Sequence, residues 1–205
     1  MSERRLRWAR ALQAIAQSGL TYTENEFDRA RFEAVREVAA EIAASLTDEE
    51  QHELLARFAE EVGYATPKVD VRGVVVEAGR VLLVREIGET RWTLPGGWAD
   101  VGETPSAAVE KEVREEAGVV VRATRLLGVY DRDFRGRPQW PAHVYKLYVL
   151  CDLVEGTPAG DGLETEEVDF FAEEALPPLS PKTPPDHLRN VLAAASDPAL
   201  GAGLD

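Results

Sequence analysis

The chain has 205 residues, 44% hydrophobic and 29% charged, with 37 Asp and Glu against 23 Lys and Arg for a net charge of −14. This is the balance of a globular protein of one or two domains, and an acidic surface of this kind disfavours nucleic-acid partners. A single cysteine, Cys151, excludes an intrachain disulfide and suits a reducing cytoplasm, while no run of about 18 apolar residues offers a membrane span.

The start, MSERRLRWARALQAIAQSG, lacks the apolar stretch and cleavage site of a leader and reads as a helix. Leu6, Ala9, Leu12 and Ile15/Ala16 recur with helical period from Ser2 to about Gln17, and Gly19 is expected to end that helix. A second helix is predicted over roughly 24–46, with the stripe Phe27, Val35, Val38, Ile42 and Leu46. Thr47 and Glu50 match a capping box opening a third helix, which buries Leu54, Leu55, Phe58 and Val62 and stops at Gly63. Three helices over about 60 residues make a thin core. Residues 1–66 are therefore expected to form a small helical domain that packs on the rest of the chain or on a second copy.

The boundary falls at Thr66–Lys68, and residues 67–205 read as a second domain. VDVRGVVVEAGRVLLVREI is two strands about a turn near Ala78-Gly79. RWTLPGGW is a short extended piece, followed by an acidic helix and the strand-like VVVRATRLLGVYDRD and AHVYKLYVLCDLVEG. The loop between those two strands, RDFRGRPQWPA, is long enough to bind something. EEVDFF is a further strand, LPPLSPKTPP turns the chain, a last helix covers about 186–195, and the Gly/Ala tail is expected to fray. The order predicts a mixed sheet with helices packed on it, an α/β (α+β) domain.

The acidic helix is the stretch that asks for an explanation. Thr104 is suited to N-cap it, Pro105 to open it and Gly118 to close it. At about 100° per residue, Glu115 and Glu116 fall about 60° and 40° to either side of Glu112, so the three carboxylates share one face. Val109, Val113 and Ala117 fall on the adjoining, buried face. An unpaired anion bordering a core is costly and a bound cation relieves it. Hard carboxylate oxygens suit Mg²⁺ or Mn²⁺. Glu103 precedes the helix, and glycines at 96 and 97 let backbone approach a ligand.

The stretch GGWADVGETPSAAVEKEVREEAGV resembles the Nudix box, G-x5-E-x7-R-E-U-x-E-E-x-G-U with U aliphatic. Gly97, Glu103, Glu112, Val113, Glu115, Glu116, Gly118 and Val119 stand at its positions, and Lys111 replaces the usual Arg. Lys keeps the charge but loses the planar fork. The N-terminal run is similar to the helical extension of a bacterial subgroup of that family. The resemblance implies an α/β/α sandwich around a mixed sheet, preceded by a helical domain that forms a homodimer. It also implies a cytoplasmic, Mg²⁺- or Mn²⁺-dependent pyrophosphohydrolase. Its substrate would be a nucleoside diphosphate linked to another moiety, of the ADP-ribose or CDP-choline type.

By that resemblance Glu112, Glu115 and Glu116, with the Gly96 carbonyl, hold the metal, and Glu103 and Lys111 complete the catalytic group. The base that deprotonates water is Glu112 itself or one of Glu164, Glu166 and Glu167 outside the box. Candidate substrate contacts are Arg72, Arg85, Trp98, Tyr130, Arg132, Phe134 and Trp140, the aromatics as stacking faces for a base. Arg135 and Arg137 lie in the same loop. His52, His143 and His187 have no ligand spacing, so none reads as a zinc ligand. The alternative is a non-catalytic nucleotide-sensing regulator. Residues 1–66 carry 13 acidic residues against 8 Arg, which offers no basic module for reading DNA.

Overall fold

The computed structural model describes residues 2–47, 49–132 and 142–205; Phe134, Arg135, Arg137 and Trp140 lie outside them. The chain separates into an N-terminal unit that runs to Lys68 and also takes in Ala142 and His143, and a larger unit of the other described residues from Val69 to Asp205.

The first unit holds α1 (Ser2–Tyr22), α2 (Glu26–Ala44) and α3 (Gln51–Glu60). Gly19 does not end α1, which runs on to Tyr22. A Cβ at position 19 would lie 2.4 Å from the Phe32 ring, so this glycine is where α1 and α2 touch. α2 starts on Asn25, whose side chain accepts from the Phe27 and Asp28 N–H groups. The expected capping box does not form. Glu50 is the cap residue of α3 without a side-chain bond, and the Thr47 hydroxyl turns back to the Ala43 carbonyl. α3 ends at Glu60, short of Gly63, which leaves Val62 exposed while Leu54 and Phe58 are buried. On α2 the buried residues are Ala39, Ala40 and Ala43, whereas Phe27 and Val38 of the predicted stripe face outward. Gln13 on α1 ties to α3 by donating to the Phe58 carbonyl at 3.1 Å.

The second unit is a mixed sheet enclosed by two helices. Its strands are β1 (Lys68–Glu77), β2 (Arg80–Glu86), β3 (Trp92–Thr93), β4 (Val119–Asp131), β5 (Val144–Gly156), β6 (Thr165–Ala172) and β7 (Gly203–Leu204). Among the described residues the order is β3-β2-β1-β5-β4-β7, with β6 also paired to β2. β1–β2, β2–β3, β2–β6 and β4–β5 are antiparallel, and β4–β7 is parallel. The β1–β2 turn places Ala78 and Gly79 at φ 49° and 74°, the left-handed pair that matches strand twist in a two-residue hairpin.

β1 is buried on both faces, which accounts for its unbroken VVV. Val71, Val75, Leu82 and Val84 pack under α4 (Pro105–Ala117) with Val109, Val113 and Ala117. The alternating neighbours Val74, Val81 and Leu83 pack on the opposite side under α5 (Pro185–Ser196) with Leu188, Val191 and Leu192. Each such Val or Leu contributes about 1.5–3 kcal/mol by burial. Gly73 sets how close α4 lies to the sheet, because a Cβ there would meet Val113 at 2.4 Å. The tail does not fray. Gly203–Leu204 adds β7 beside β4, and the Asp205 carboxylate accepts from the Asp131 N–H at 2.7 Å. No helix among the described residues is long and apolar enough to cross a membrane.

Candidate active site

α4 starts and stops as its sequence predicts. The Thr104 hydroxyl accepts from Ala107 N–H at 3.2 Å, Pro105 opens the helix, and Gly118 closes it in the left-handed region at φ 67°. These caps fix the phase of the helix, and burial of Val109, Val113 and Ala117 fixes which face meets the sheet. The four glutamates then separate by role. Glu110 is structural: its Oε1 accepts from Ala123 N–H at 2.8 Å, at the point where the β4–β5 register shifts. Glu112 and Glu116, one turn apart, face the turn that links β3 to α4. Glu115 lies toward solvent, with its side chain 57% exposed and an ion pair to Arg114 at 3.9 Å.

That turn, Leu94–Gly97, is held at almost every polar atom. Leu94 N–H donates to the Thr183 hydroxyl, and Leu94 carbonyl accepts from Arg72 Nη1 at 3.0 Å. Gly73 N–H donates to Pro95 carbonyl and Val71 N–H to Gly97 carbonyl. Gly96 N–H donates to Glu116 Oε2 at 2.8 Å. Gly96 sits at φ 142° with Val71 carbonyl only 2.0 Å from where a Cβ would be, so no other residue fits. At Gly97 the missing side chain leaves room for Glu112, whose Oε2 lies 2.6 Å from the Cβ position. Among the described residues no hydrogen bond reaches the Gly96 carbonyl.

Glu116 is 8% exposed. Burial pushes its carboxyl up to about 7, against the pull of the Gly96 N–H and Arg72, with Glu112 and Glu86 adding to the rise. Burial also raises Glu112, and Lys111 and Arg72 oppose the rise while Glu115 and Glu164 add to it. Two carboxylates whose ionised forms are disfavoured by burial, that of Glu116 also by Glu112, offer oxygen donors that fit a hard divalent cation. Among the described residues no three acidic, His or Cys side chains are assembled as a ready metal cluster. Glu112 and Glu116 face the turn, whereas Glu115 lies toward solvent beside Arg114.

Lys111 lies among three carboxylates. Its Nζ lies 3.1 Å from Glu103 Oε1, 2.9 Å from Asp100 Oδ2 and 3.7 Å from Glu112 Oε1, and Asp100 and Glu103 raise its pKa. A point charge thus reaches three carboxylates without the fork.

The other predicted residues are spread more widely. Arg72 is buried, bidentate to Asp70 at 2.8 Å through Nε and Nη2, and spends Nη1 on Leu94. Tyr130 is in the core, stacked on His187 at 4.7 Å and edge-on to Tyr148 at 5.8 Å. Arg85 is bonded to Glu166 and Glu167. Glu164 begins the approach to β6, its backbone N–H bonded to Asp161 and its carbonyl to Ile87, and its charge reaches Glu112. Trp98 follows Gly97, half exposed, bridging opposite Asp70. Arg132 is half-buried in the turn that follows β4.

A buried polar group behind the turn escaped the sequence reading. Asp70 accepts from Arg72 and from Lys146 Nζ at 3.1 Å, and Lys146 is 1% exposed. Burial alone raises the Asp70 carboxyl, but Arg72 and Lys146 hold it below its ordinary range. Burial, with Arg72 nearby, pushes Lys146 down to about 7 although Asp70 opposes. Tyr148 O–H meets His187 Nδ1 at 3.1 Å on the same side. The signal was present in spacing: Asp70 with Arg72, and Lys146 with Tyr148, stand two apart in strands and so share a face.

Known proteins resemble the chain along most of its length. Residues 66–193 match the model of the NUDIX domain, and residues 3–58 match that of a UDP-X-like, N-terminal oligomerisation domain. A Bacillus subtilis (strain 168) protein named "Putative ADP-ribose pyrophosphatase YjhB" is 39% identical over 174 residues, 85% of this chain and 83% of that one. The crystal structure of a UDP-X diphosphatase superposes with a TM-score of 0.64 at 32% identity, covering 100% of this chain and 99% of that one. That of an ADP-ribose pyrophosphatase from Streptococcus suis 89-1591 superposes with a TM-score of 0.61 at 35% identity, covering 68% and 100%.

Proposed function

The chain belongs to the Nudix hydrolase family and is a pyrophosphohydrolase; from that premise we propose that it cleaves, with divalent cations bound, the diphosphate bridge of an ADP-ribose-type nucleoside diphosphate. The observation that carries the metal requirement is the pairing of Glu112 and Glu116 at the Gly96–Gly97 turn, with Glu116 buried and its carboxyl raised to about 7. The preference for ADP-ribose rests on the names of two relatives, and CDP-choline or a UDP-linked compound is the competing substrate.

Glu112, Glu116 and the Gly96 carbonyl would hold the ions, joined by Glu115. When bound, Mg²⁺ or Mn²⁺ neutralises phosphate oxygens and lowers the pKa of water. Lys111 holds Glu103 and Asp100 in register beside Glu112. Of the three glutamates outside the box, Glu166 and Glu167 are engaged by Arg85, while Glu164 has no side-chain ion pair among the described residues. Glu164 is therefore the group assigned to take the proton of the attacking water. Trp98, exposed next to Gly97, would supply an aromatic face for stacking on a base.

The N-terminal unit dimerises the chain. Trp8, Ile15 and Tyr22 stand seven residues apart on α1 and are 55%, 55% and 69% exposed, an apolar seam that a second copy would cover. A buried free thiol at Cys151 agrees with action in the cytoplasm.

The test is a substrate panel of ADP-ribose, CDP-choline, a UDP-sugar and a nucleoside triphosphate, with Mg²⁺ or Mn²⁺ and products separated by chromatography. ADP-ribose giving AMP and ribose 5-phosphate supports the reading. Preferential turnover of the triphosphate refutes the diphosphate-bridge specificity.

A further inference from the structure

The Leu94–Gly97 turn is built of two glycines, a proline and a leucine, so its stiffness must come from elsewhere. On one side stands β1, which bonds Pro95 and Gly97 through the main chain. On the other stands the Pro-rich loop before α5, a segment the catalytic assignment leaves without a role. Thr183 in that loop is fully buried, and its hydroxyl lies 3.0 Å from Leu94 N and 2.8 Å from the Thr93 hydroxyl. Leu94 N–H can only donate, so Thr183 accepts there; with the Thr93 proton directed at the Leu94 carbonyl, the Thr183 proton goes to Thr93. Thr93 in turn donates to Leu94 carbonyl at 3.3 Å, the carbonyl that also receives Arg72 Nη1. The loop is itself fastened to β3, because Trp92 N–H donates to Pro178 carbonyl and Ser180 N–H to Trp92 carbonyl. Thr183 N–H closes the loop on Ser180 carbonyl.

We infer that Thr183 is a positioning residue for the metal site. Its hydroxyl locks the Leu94 peptide, and with it the direction of the Gly96 carbonyl two residues on and the Gly96 N–H that binds Glu116. The inference rests on the metal-dependent reading above. It predicts that removing one buried hydroxyl, in a loop outside the box, weakens cation binding without touching the nucleotide.

The experiment compares wild type, Thr183→Val and Thr183→Ser by Mn²⁺ binding, read from the electron paramagnetic resonance of free Mn²⁺, and by steady-state kinetics. Thr183→Val keeps the shape and strands the Leu94 N–H. It should bind Mn²⁺ roughly tenfold more weakly and lower kcat, with KM for the nucleotide at saturating ion within about twofold of wild type. Thr183→Ser keeps the hydroxyl and should restore Mn²⁺ affinity. Equal Mn²⁺ affinity in Thr183→Val and wild type would overturn the inference while leaving the hydrolase reading intact. Thr183→Ser, which keeps the hydroxyl, losing as much affinity as Thr183→Val would overturn it too, by assigning the effect to packing around position 183. A wild-type chain that turns over substrate without binding Mn²⁺ or Mg²⁺ would sink the metal reading and this inference together.

Discussion

Glu116 offers a stability measurement that needs no substrate. Its carboxyl is raised from an ordinary 4.5 to about 7 in the folded chain, first by burial. The folded state therefore holds this proton more tightly than the unfolded one between about pH 4.5 and 7. Stability from this group is fully present below pH 4.5 and is lost as pH rises through 7. At about 1.4 kcal/mol per pH unit, the loss reaches about 3 kcal/mol by pH 8 in metal-free protein. Glu116→Gln keeps an acceptor for Gly96 N–H and cannot ionise, so the difference in urea midpoint between the two proteins isolates the group. Wild type should fall below Glu116→Gln by that amount between pH 5 and 8, and saturating Mg²⁺ should close most of the gap, since an ion at about 100 times its Kd adds about 2.7 kcal/mol. Parallel pH curves for the two proteins, with no response to the ion, would refute the buried-anion account of the site.

The two glycines should fail differently. Gly97→Ala displaces only the flexible end of Glu112, so stability should hold while the cation affinity and kcat drop; Gly96→Ala, with Val71 carbonyl in the way, should lose about 3 kcal/mol of stability by thermal melting. Glu110→Ala unpairs the Ala123 N–H and should cost about 1–2 kcal/mol in a melt with kcat per folded molecule unchanged. Lys111→Met leaves Glu103 and Asp100 unbraced on the surface, so the melting temperature should barely move and kcat should fall by less than about fivefold, with Lys111→Arg restoring it.

What could be read from sequence was what is local. Thr104, Pro105 and Gly118 cap α4 by bonds within a few residues, and the helical period then puts Glu112 and Glu116 on one face and Val109, Val113 and Ala117 on the next. Gly19 misled because its reason lies in tertiary structure: the ring of Phe32 occupies the space a side chain would need. Thr47 and Glu50 satisfy a capping pattern, yet the Thr47 hydroxyl prefers the Ala43 carbonyl left open by the end of α2. β7 is two residues of an unremarkable tail, and its pairing depends on β4 offering an edge. Glu110 shares the helix with the box glutamates, yet its partner is a strand irregularity 13 residues away. Thr183 and Lys146 reach the site from loops and strands far along the chain, where no spacing rule connects them to the box.

The central claim is that bound divalent cations at Glu112 and Glu116 make this chain a hydrolase of diphosphate bridges. The most direct test follows ADP-ribose by chromatography with wild type and Glu112→Gln, each with and without Mg²⁺. AMP and ribose 5-phosphate formed by wild type only when the ion is present, and lost in Glu112→Gln, is the predicted result. Equal turnover in the presence of a chelator, or full turnover by Glu112→Gln, would contradict it.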